Sequence, residues 1–212
     1  MTDTSPRSFH PAAGRDLFLP LYDPLTRLFG FGPIRDELIA QAKVHAEHHV
    51  LDIGCGTGTL SVALKQRHPQ ADVCALDPDP KALARARRKA QRAGVMVRFD
   101  QGFADALPYG DATIDRVVSS LMFHHLPREV KEGTLREVRR VLKPGGELHL
   151  LDFTGAHGHG HLARLIHPPQ GLKDNAEDRV IVLMREAGLR DPQIVGRRKT
   201  LFGPLALYQA AA

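Results

Sequence analysis

Gly54-Cys55-Gly56-Thr57-Gly58 stands directly after the apolar run Val50-Leu51-Asp52-Ile53 and opens a helical pattern. Glycines at alternate positions permit positive φ and let a ligand approach the backbone closely. The N–H groups of such a loop, and of the helix start behind it, face whatever binds there. A dinucleotide loop would read G-x-G-x-x-G, with its third glycine at position 59; here that position is Thr59, and the third glycine comes one residue early at Gly58, which weakens the dinucleotide reading. Asp77 ends the second apolar run, in Ala75-Leu76-Asp77-Pro78-Asp79. A carboxylate at that place can accept both hydroxyls of a ribose. Asp52, inside the glycine motif, can orient the loop or meet an ammonium group. Each aspartate alone reads as an ordinary turn residue. Both together, at the ends of successive strands, point to a nucleoside-bearing ligand.

Histidines form two further sets. His124 and His125 follow the fourth apolar run, and their intrinsic pKa suits proton transfer near neutrality, although this position also serves to cap or to pack. His157, His159, His161 and His167 form a looser cluster. Imidazole suits zinc and nickel, but no cysteine or carboxylate accompanies them at a structural-site spacing. A solvated loop is the expectation there, and no metal.

The elements that must position these residues follow from periodicity. Short apolar runs predict strands over 49–53, 72–76, 95–99, 116–119, 147–152, 193–198 and 204–208. Helical patterns lie between them over 58–67, 80–93, 128–141 and 176–187, with a further helix over 33–47. Pro80 suits a helix first turn, Gly94 follows that helix as a C-cap glycine would, and Pro144-Gly145-Gly146 turns the next helix into a strand. Such alternation implies right-handed crossovers and a mostly parallel sheet covered on both faces. The last two strands, with only a short connection, read as an antiparallel hairpin closing one edge. The fold class is therefore α/β, a Rossmann-like seven-stranded, mostly parallel sheet with a C-terminal antiparallel hairpin. The expected organisation is one domain: cap or lid helices over 1–48, a ligand-binding core over 49–153, a covering loop over 154–175, and a helix and hairpin over 176–212. Ligands of open α/β sheets sit at the carboxyl ends of the strands, where strand order switches, so the covering segments are expected as substrate lids.

Bulk composition agrees. The 212 residues are 42% hydrophobic, which suits one domain with a sizeable core. No stretch approaches the roughly 18 apolar residues of a membrane span. The polar start, Met1 to Arg7, lacks an apolar signal core, so a cytoplasmic protein is expected rather than an exported one. Two cysteines, Cys55 and Cys74, cannot build a disulfide framework. The formal charge of +5 favours anionic partners, but its main contributors, Arg85, Arg87, Arg88, Lys89 and Arg92 with Arg197, Arg198 and Lys199, read as a solvated helix face and a charged strand edge. No aromatics interleave them, so no platform for stacking bases is visible, and nucleic acid is not the expected partner.

With these motifs in order, the chain resembles the class I S-adenosylmethionine-dependent methyltransferases, in particular the branch of the ubiquinone/menaquinone-biosynthesis C-methyltransferases and their small-molecule relatives. The residues at 50–58 resemble the family's first motif and Ala75-Leu76-Asp77 its acidic strand end. Gln101-Gly102-Phe103-Ala104-Asp105-Ala106-Leu107-Pro108 resembles the adenine-side segment. The run from Asp115 to Leu126 is similar to the fourth strand and its loop, and Arg140-Val141-Leu142-Lys143-Pro144-Gly145-Gly146-Glu147-Leu148 to the turn into the fifth strand. The resemblance implies S-adenosyl-L-methionine as cofactor and S-adenosyl-L-homocysteine as product. It implies that Gly54, Gly56 and Gly58, with Cys55 and Asp52 in the same motif, pass close to the methionine and ribose parts, that Asp77 beside Pro78 holds the ribose, that Ala104 offers its N–H to adenine, and that Leu121 lies near the methionyl end. Relatives often carry Asp or Asn where this chain has Phe103; either Asp105 takes that role or Phe103 packs against the ring. Tyr22-Asp23 followed by Gly30-Phe31-Gly32 is similar to the entry of quinone-pathway members, which implies Tyr22 as a lid over the methionyl group.

Methyl transfer from a sulfonium needs alignment and exclusion of water more than covalent help, and a base only where the nucleophile must lose a proton. His124, by preference, or His125 is the expected contact to the acceptor. The favoured function is methylation of a small-molecule or lipid-like acceptor at C, N, O or S. Arsenic-methylating relatives rely on several cysteines, and this chain has too few. The alternatives are an RNA or protein methyltransferase, which no Asn/Asp-Pro-Pro-Tyr motif supports, a non-catalytic S-adenosylmethionine-binding protein, and a nicotinamide-dependent oxidoreductase. The oligomeric state stays open, a homodimer included.

Overall fold

The computed structural model describes residues 31–154 and 175–212. The order of elements is helix α1 (Phe31–Gln41), strand β1 (His49–Ile53), α2 (Thr59–Arg67), β2 (Asp72–Asp77), α3 (Pro80–Arg92), β3 (Arg98–Gln101), β4 (Ile114–Ser120), a single 3₁₀ turn (Phe123–His125), α4 (Arg128–Val141), β5 (Leu142–Phe153), α5 (Glu177–Glu186), β6 (Arg190–Thr200) and β7 (Gly203–Ala211). The seven strands form one sheet in the order β3-β2-β1-β4-β5-β7-β6. The first five are parallel, and β7 runs antiparallel to both β5 and β6. This is the predicted α/β architecture with its C-terminal hairpin.

Successive side chains of β1 go to opposite faces. Val50 joins Ile34, Leu38, Leu60 and Leu64 beneath α1 and α2, whereas Leu51 and Ile53 join Leu135, Val138, Val180 and Met184 beneath α4 and α5. A strand buried on both faces reads as a continuous apolar run, which made β1 and β2 plain in the sequence. A third cluster, Val62, Ala75, Leu83, Ala86, Ala90 and Phe99, seats α3 on the β2–β3 side.

Several boundaries differ from the sequence expectation. Strand β5 begins at Leu142 rather than 147, so Pro144-Gly145-Gly146 lies within it instead of turning the chain into it. The third strand begins at Arg98 rather than 95, because Gly94 N–H donates to Gln91 O (3.1 Å) and Val95 N–H to Ala90 O (3.1 Å). That paired closure of the helix end consumes Val95. Helix α1 stops at Gln41 rather than 47, where Ala42 N–H bonds Leu38 O (3.1 Å), Lys43 N–H bonds Ala40 O (3.3 Å) and Lys43 has φ of +44°. The hairpin strands run longer than predicted because Thr200 pairs with Gly203 across a two-residue turn. The chain moves outward from β1 to β2 and β3, then returns to lay β4 and β5 on the other side. Strand order therefore switches between β1 and β4, and the parallel strands deliver their carboxyl ends to one crevice there.

Candidate active site

At the end of β1 the chain turns back over β2. Gly54 N–H and Cys55 N–H both donate to Leu76 O, at 2.8 and 3.1 Å, and Gly58 N–H closes a turn on Cys55 O at 2.8 Å. Gly54, Gly56 and Gly58 have φ of +70°, +51° and +74°, a region side chains enter only at a cost. Two of them also face packed neighbours. A Cβ on Gly54 would lie 2.2 Å from Met122 Cγ, and one on Gly58 2.7 Å from Ala86 Cβ. Gly54 thus lets the loop after β4 close over the loop after β1, and Gly58 lets α3 pack against the start of α2.

Asp77 joins this loop to the end of β2. Its Oδ2 accepts Gly56 N–H at 2.8 Å and its Oδ1 accepts Asp79 N–H at 2.9 Å. Each oxygen keeps acceptor capacity, since an ionised carboxylate offers about four lone-pair sites. Burial raises its pKa, against the pull of the Asp79 and Gly56 N–H bonds. The half-buried Pro78 and the segment after β3 lie beside it: Gly102 N–H donates to Asp77 O at 3.3 Å, and Phe103, Ala104 and Asp105 are all half-buried. A carboxylate with spare acceptors, backed by two backbone donors, fits a ribose, and the adjoining partly open segment fits the base attached to it.

Asp52 does not point into this crevice. It is 1% exposed and accepts a 2.5 Å bond from the Ser61 hydroxyl. Burial pushes its pKa up to about 7, helped by the charge of Asp77 and opposed by Ser61. Cys55 is buried too; burial raises its thiol well above the usual range, with Asp52 and Asp77 adding to the rise. Both cysteines are free thiols, and Cys74 lies in β2 with its Sγ directed to Val50 O at 3.4 Å.

Across the crevice, Ser119 Oγ donates to Ile53 O at 2.8 Å and ties β4 to β1. Leu121 follows with φ of +58°, held by its N–H on Leu151 O at 2.9 Å. It carries the chain into the 3₁₀ turn that bears both histidines. His124 is 2% exposed. Its backbone N–H donates to Asp152 Oδ2 (3.1 Å), its Nδ1 meets Asp152 Oδ1 (2.5 Å), and its ring stands edge-on to Phe153. His125 is half-buried, with its ring centroid 3.9 Å from that of His124. Asp152 is wholly buried at the end of β5. Burial would raise its pKa, yet the charge and hydrogen bond of His124 leave it below the ordinary carboxylate value.

The sequence from 50 to 146 matches the family described as "Methyltransferase domain". Over 137 residues the chain is 39% identical to a demethylmenaquinone methyltransferase of Deinococcus radiodurans, covering 63% of this chain and 56% of that protein. It is 41% identical over 137 residues to the Thermus thermophilus demethylmenaquinone methyltransferase, covering 63% and 61%. A crystal structure of a SAM-dependent methyltransferase from Aquifex aeolicus superposes with a TM-score of 0.73 at 20% identity, over 92% of this chain and 97% of that one. Residues 50–146, the part matched by the methyltransferase-domain family, hold β1 to the start of β5 and the loops between them. The chain spans little more than half the length of the two curated relatives, 56% and 61%.

Gly54, Cys55, Gly56, Gly58, Asp77, Pro78, Phe103, Ala104, Asp105 and Leu121 all stand at the carboxyl ends of β1 to β4 or in the loops that follow them, on one end of the parallel sheet, with Asp52 buried behind the glycine loop. Tyr22 and the histidines at 157, 159, 161 and 167 lie outside the described residues. Among the described residues no His, Cys, Asp and Glu cluster can hold a metal ion, and no helix is long and apolar enough to cross a membrane. Sequence reasoning missed Asp152, although it carries the signal that revealed Asp77, an acidic residue closing an apolar strand. It also missed Lys89, which reaches Thr57 Oγ1 (3.1 Å) and Thr59 Oγ1 (2.5 Å) at the glycine loop. Arg140 and Glu137 were missed for want of any local signal: Arg140 donates to Leu107 O (3.0 Å) and Tyr109 O (2.8 Å), and Glu137 accepts Leu107 N–H (2.8 Å).

Proposed function

We propose that this chain transfers the methyl group of S-adenosylmethionine to a small or lipid-like acceptor, leaving S-adenosylhomocysteine. The observation that carries the reading is the coupling of Asp77 to the glycine loop through Gly56 N–H. It supports the reading by holding the Asp77 carboxylate, with acceptor capacity to spare for a ribose, beside a backbone that a ligand can approach. In this reading Asp77 and Pro78 hold the ribose, Ala104 N–H and either Phe103 or Asp105 meet the adenine, and the glycine loop with Cys55 and Leu121 borders the methionyl part. Asp52 acts from behind by anchoring the loop to Ser61, and Tyr22 closes over the methionyl group. When bound, the cofactor supplies a methyl already activated on a sulfonium, so the protein contributes chiefly alignment and a dry site.

The burial of His124 moves the proposed acceptor contact to His125, with His124 and Asp152 behind it. The Asp152 carboxylate fixes the orientation of the His124 ring, against which His125 stacks, and a base at His125 suits an acceptor that must shed a proton. The relatives named for demethylmenaquinone, and one named as a ubiquinone/menaquinone biosynthesis C-methyltransferase, support a quinone-type acceptor methylated at carbon. We place the protein in the cytoplasm, acting as one domain divided as the sequence suggests and without nucleic acid as substrate. Calorimetry with S-adenosylmethionine against NADH is the first test, and binding of the former alone is expected. Asp77→Ala should weaken that binding at least about tenfold, the scale of one lost charge-assisted hydrogen bond. Labelled methyl transfer to a library of quinols, phenols and amines then names the acceptor. Binding of NADH alone, or cofactor binding indifferent to Asp77, sinks the proposal.

A further inference from the structure

Helix α3 has the sequence PKALARARRKAQR, with six cations and no acidic residue. At about 100° per residue, Lys81, Arg85, Arg88 and Arg92 fall within one narrow stripe. Ala82, Leu83, Ala86 and Ala90 form the buried side. Two of the other basic residues are engaged: Arg87 donates to Phe99 O at 2.8 Å, and Lys89 reaches Thr57 and Thr59. Arg85, Arg88 and Arg92 make no ion pair or hydrogen bond among the described residues. Just past the helix, Met96 is 86% exposed, the most exposed large hydrophobic residue among those described.

A row of uncompensated guanidinium groups is costly in self-repulsion unless something anionic lies against it. We propose that this face of α3 docks the protein on an anionic lipid bilayer, with the arginine stripe in the headgroup layer and Met96 inserted beside it. Each basic residue near such a surface strengthens partitioning by about fivefold, and an apolar side chain inserted at the boundary adds to it. A lipid surface suits the stripe better than a nucleic acid because it presents spread negative charge without demanding shape or base contacts, and no aromatic side chain stands in the stripe to stack on a base. Since α3 packs along the sheet, docking lays the strands roughly parallel to the membrane, and the crevice at their carboxyl ends opens along its surface. The inference does not rest on the proposed reaction.

Sedimentation with vesicles tests it, using the full chain, phosphatidylcholine alone and phosphatidylcholine with about one third phosphatidylserine. Binding is expected to the anionic vesicles only, and to vanish at about 1 M salt, where the screening length is about 3 Å. The triple variant R85Q/R88Q/R92Q should lower the vesicle partition coefficient by about a hundredfold at physiological salt, from fivefold per residue, and Met96→Ser by a few-fold more. Calorimetric S-adenosylmethionine affinity should be the same in the triple variant and the parent, which separates a docking failure from damage to the cofactor site. Absence of vesicle binding by the parent, or undiminished binding by the triple variant, overturns the proposal. So does a triple variant that loses salt-sensitive RNA binding while the parent ignores vesicles.

Discussion

The burial of Asp52 is a charge problem set inside the glycine motif. A carboxyl group whose folded pKa is about 7 rather than 3.8 holds its proton more tightly in the folded chain. Its contribution to stability is therefore present below the lower value and is lost as pH rises through the higher one. Asp52→Asn keeps the shape and removes the titration. Relative to that variant, the parent should lose stability between about pH 4 and about pH 7, by up to roughly 4 kcal/mol at about 1.4 per unit. Urea unfolding of both proteins without ligand, on either side of that window, measures the gap; a gap that does not change with pH removes the argument. His149 gives the opposite slope. It lies wholly buried in β5 with Nε2 3.2 Å from Glu147 Oε2, and burial lowers its pKa to about 4, against the attraction of Glu147. Stability that it permits above the ordinary value of 6.5 is lost as pH falls toward 4. His149→Gln should therefore resist mild acid better than the parent, by up to roughly 3 kcal/mol near pH 4. Parallel acid unfolding curves for the two proteins would contradict this.

At the scale of elements, what the sequence disclosed and what it hid divide along physical lines. Strands β1 and β2 were legible because burial on both faces leaves mostly apolar residues, Asp52 and Asp77 apart, and the glycine loop because its backbone geometry excludes most side chains. The start of β3 was not legible, since Val95 serves the end of α3 rather than the sheet. The segment between β3 and β4 hides more. Its backbone is held by the side chains of α4, and such contacts across 30 or so residues leave no periodic trace. Arg140 there donates to Leu107 O, Tyr109 O, Asp111 and Glu137, while Glu137 takes Leu107 N–H. The same segment carries Phe103, Ala104 and Asp105. Arg140→Lys keeps the charge but loses the fork that spans two carbonyls. It should weaken S-adenosylmethionine binding about tenfold, the worth of one charge-assisted bond. Affinity for methionine alone should stay as it is, since the adenine side is what Arg140 holds. Equal loss for both ligands would mean general unfolding instead.

The whole molecule separates the work of binding from much of the work of staying folded. The crevice draws on the carboxyl ends of β1 to β4, whereas β7 sits between β5 and β6 with Leu205, Ala206, Leu207 and Tyr208 all fully buried. No residue of β7 was expected in the site, and the hairpin was legible only as a closing edge; the sequence could not reveal that it wedges beside β5, because strand order is settled by packing rather than by pattern. The hairpin thus holds β5 in place, and β5 in turn presents Asp152 to His124. Leu207→Ala removes packing in the cluster it shares with Val118 and Leu151, and deletions of this kind cost about 2–5 kcal/mol. Thermal unfolding should register that loss in full. S-adenosylmethionine affinity, measured well below the unfolding transition, should stay within about twofold, because β4 and β5 stand between the hairpin and β1 in the sheet and distant sites act independently. If affinity falls in step with stability, the two halves of the sheet are one cooperative unit, and the crevice depends on the hairpin as much as on its own loops.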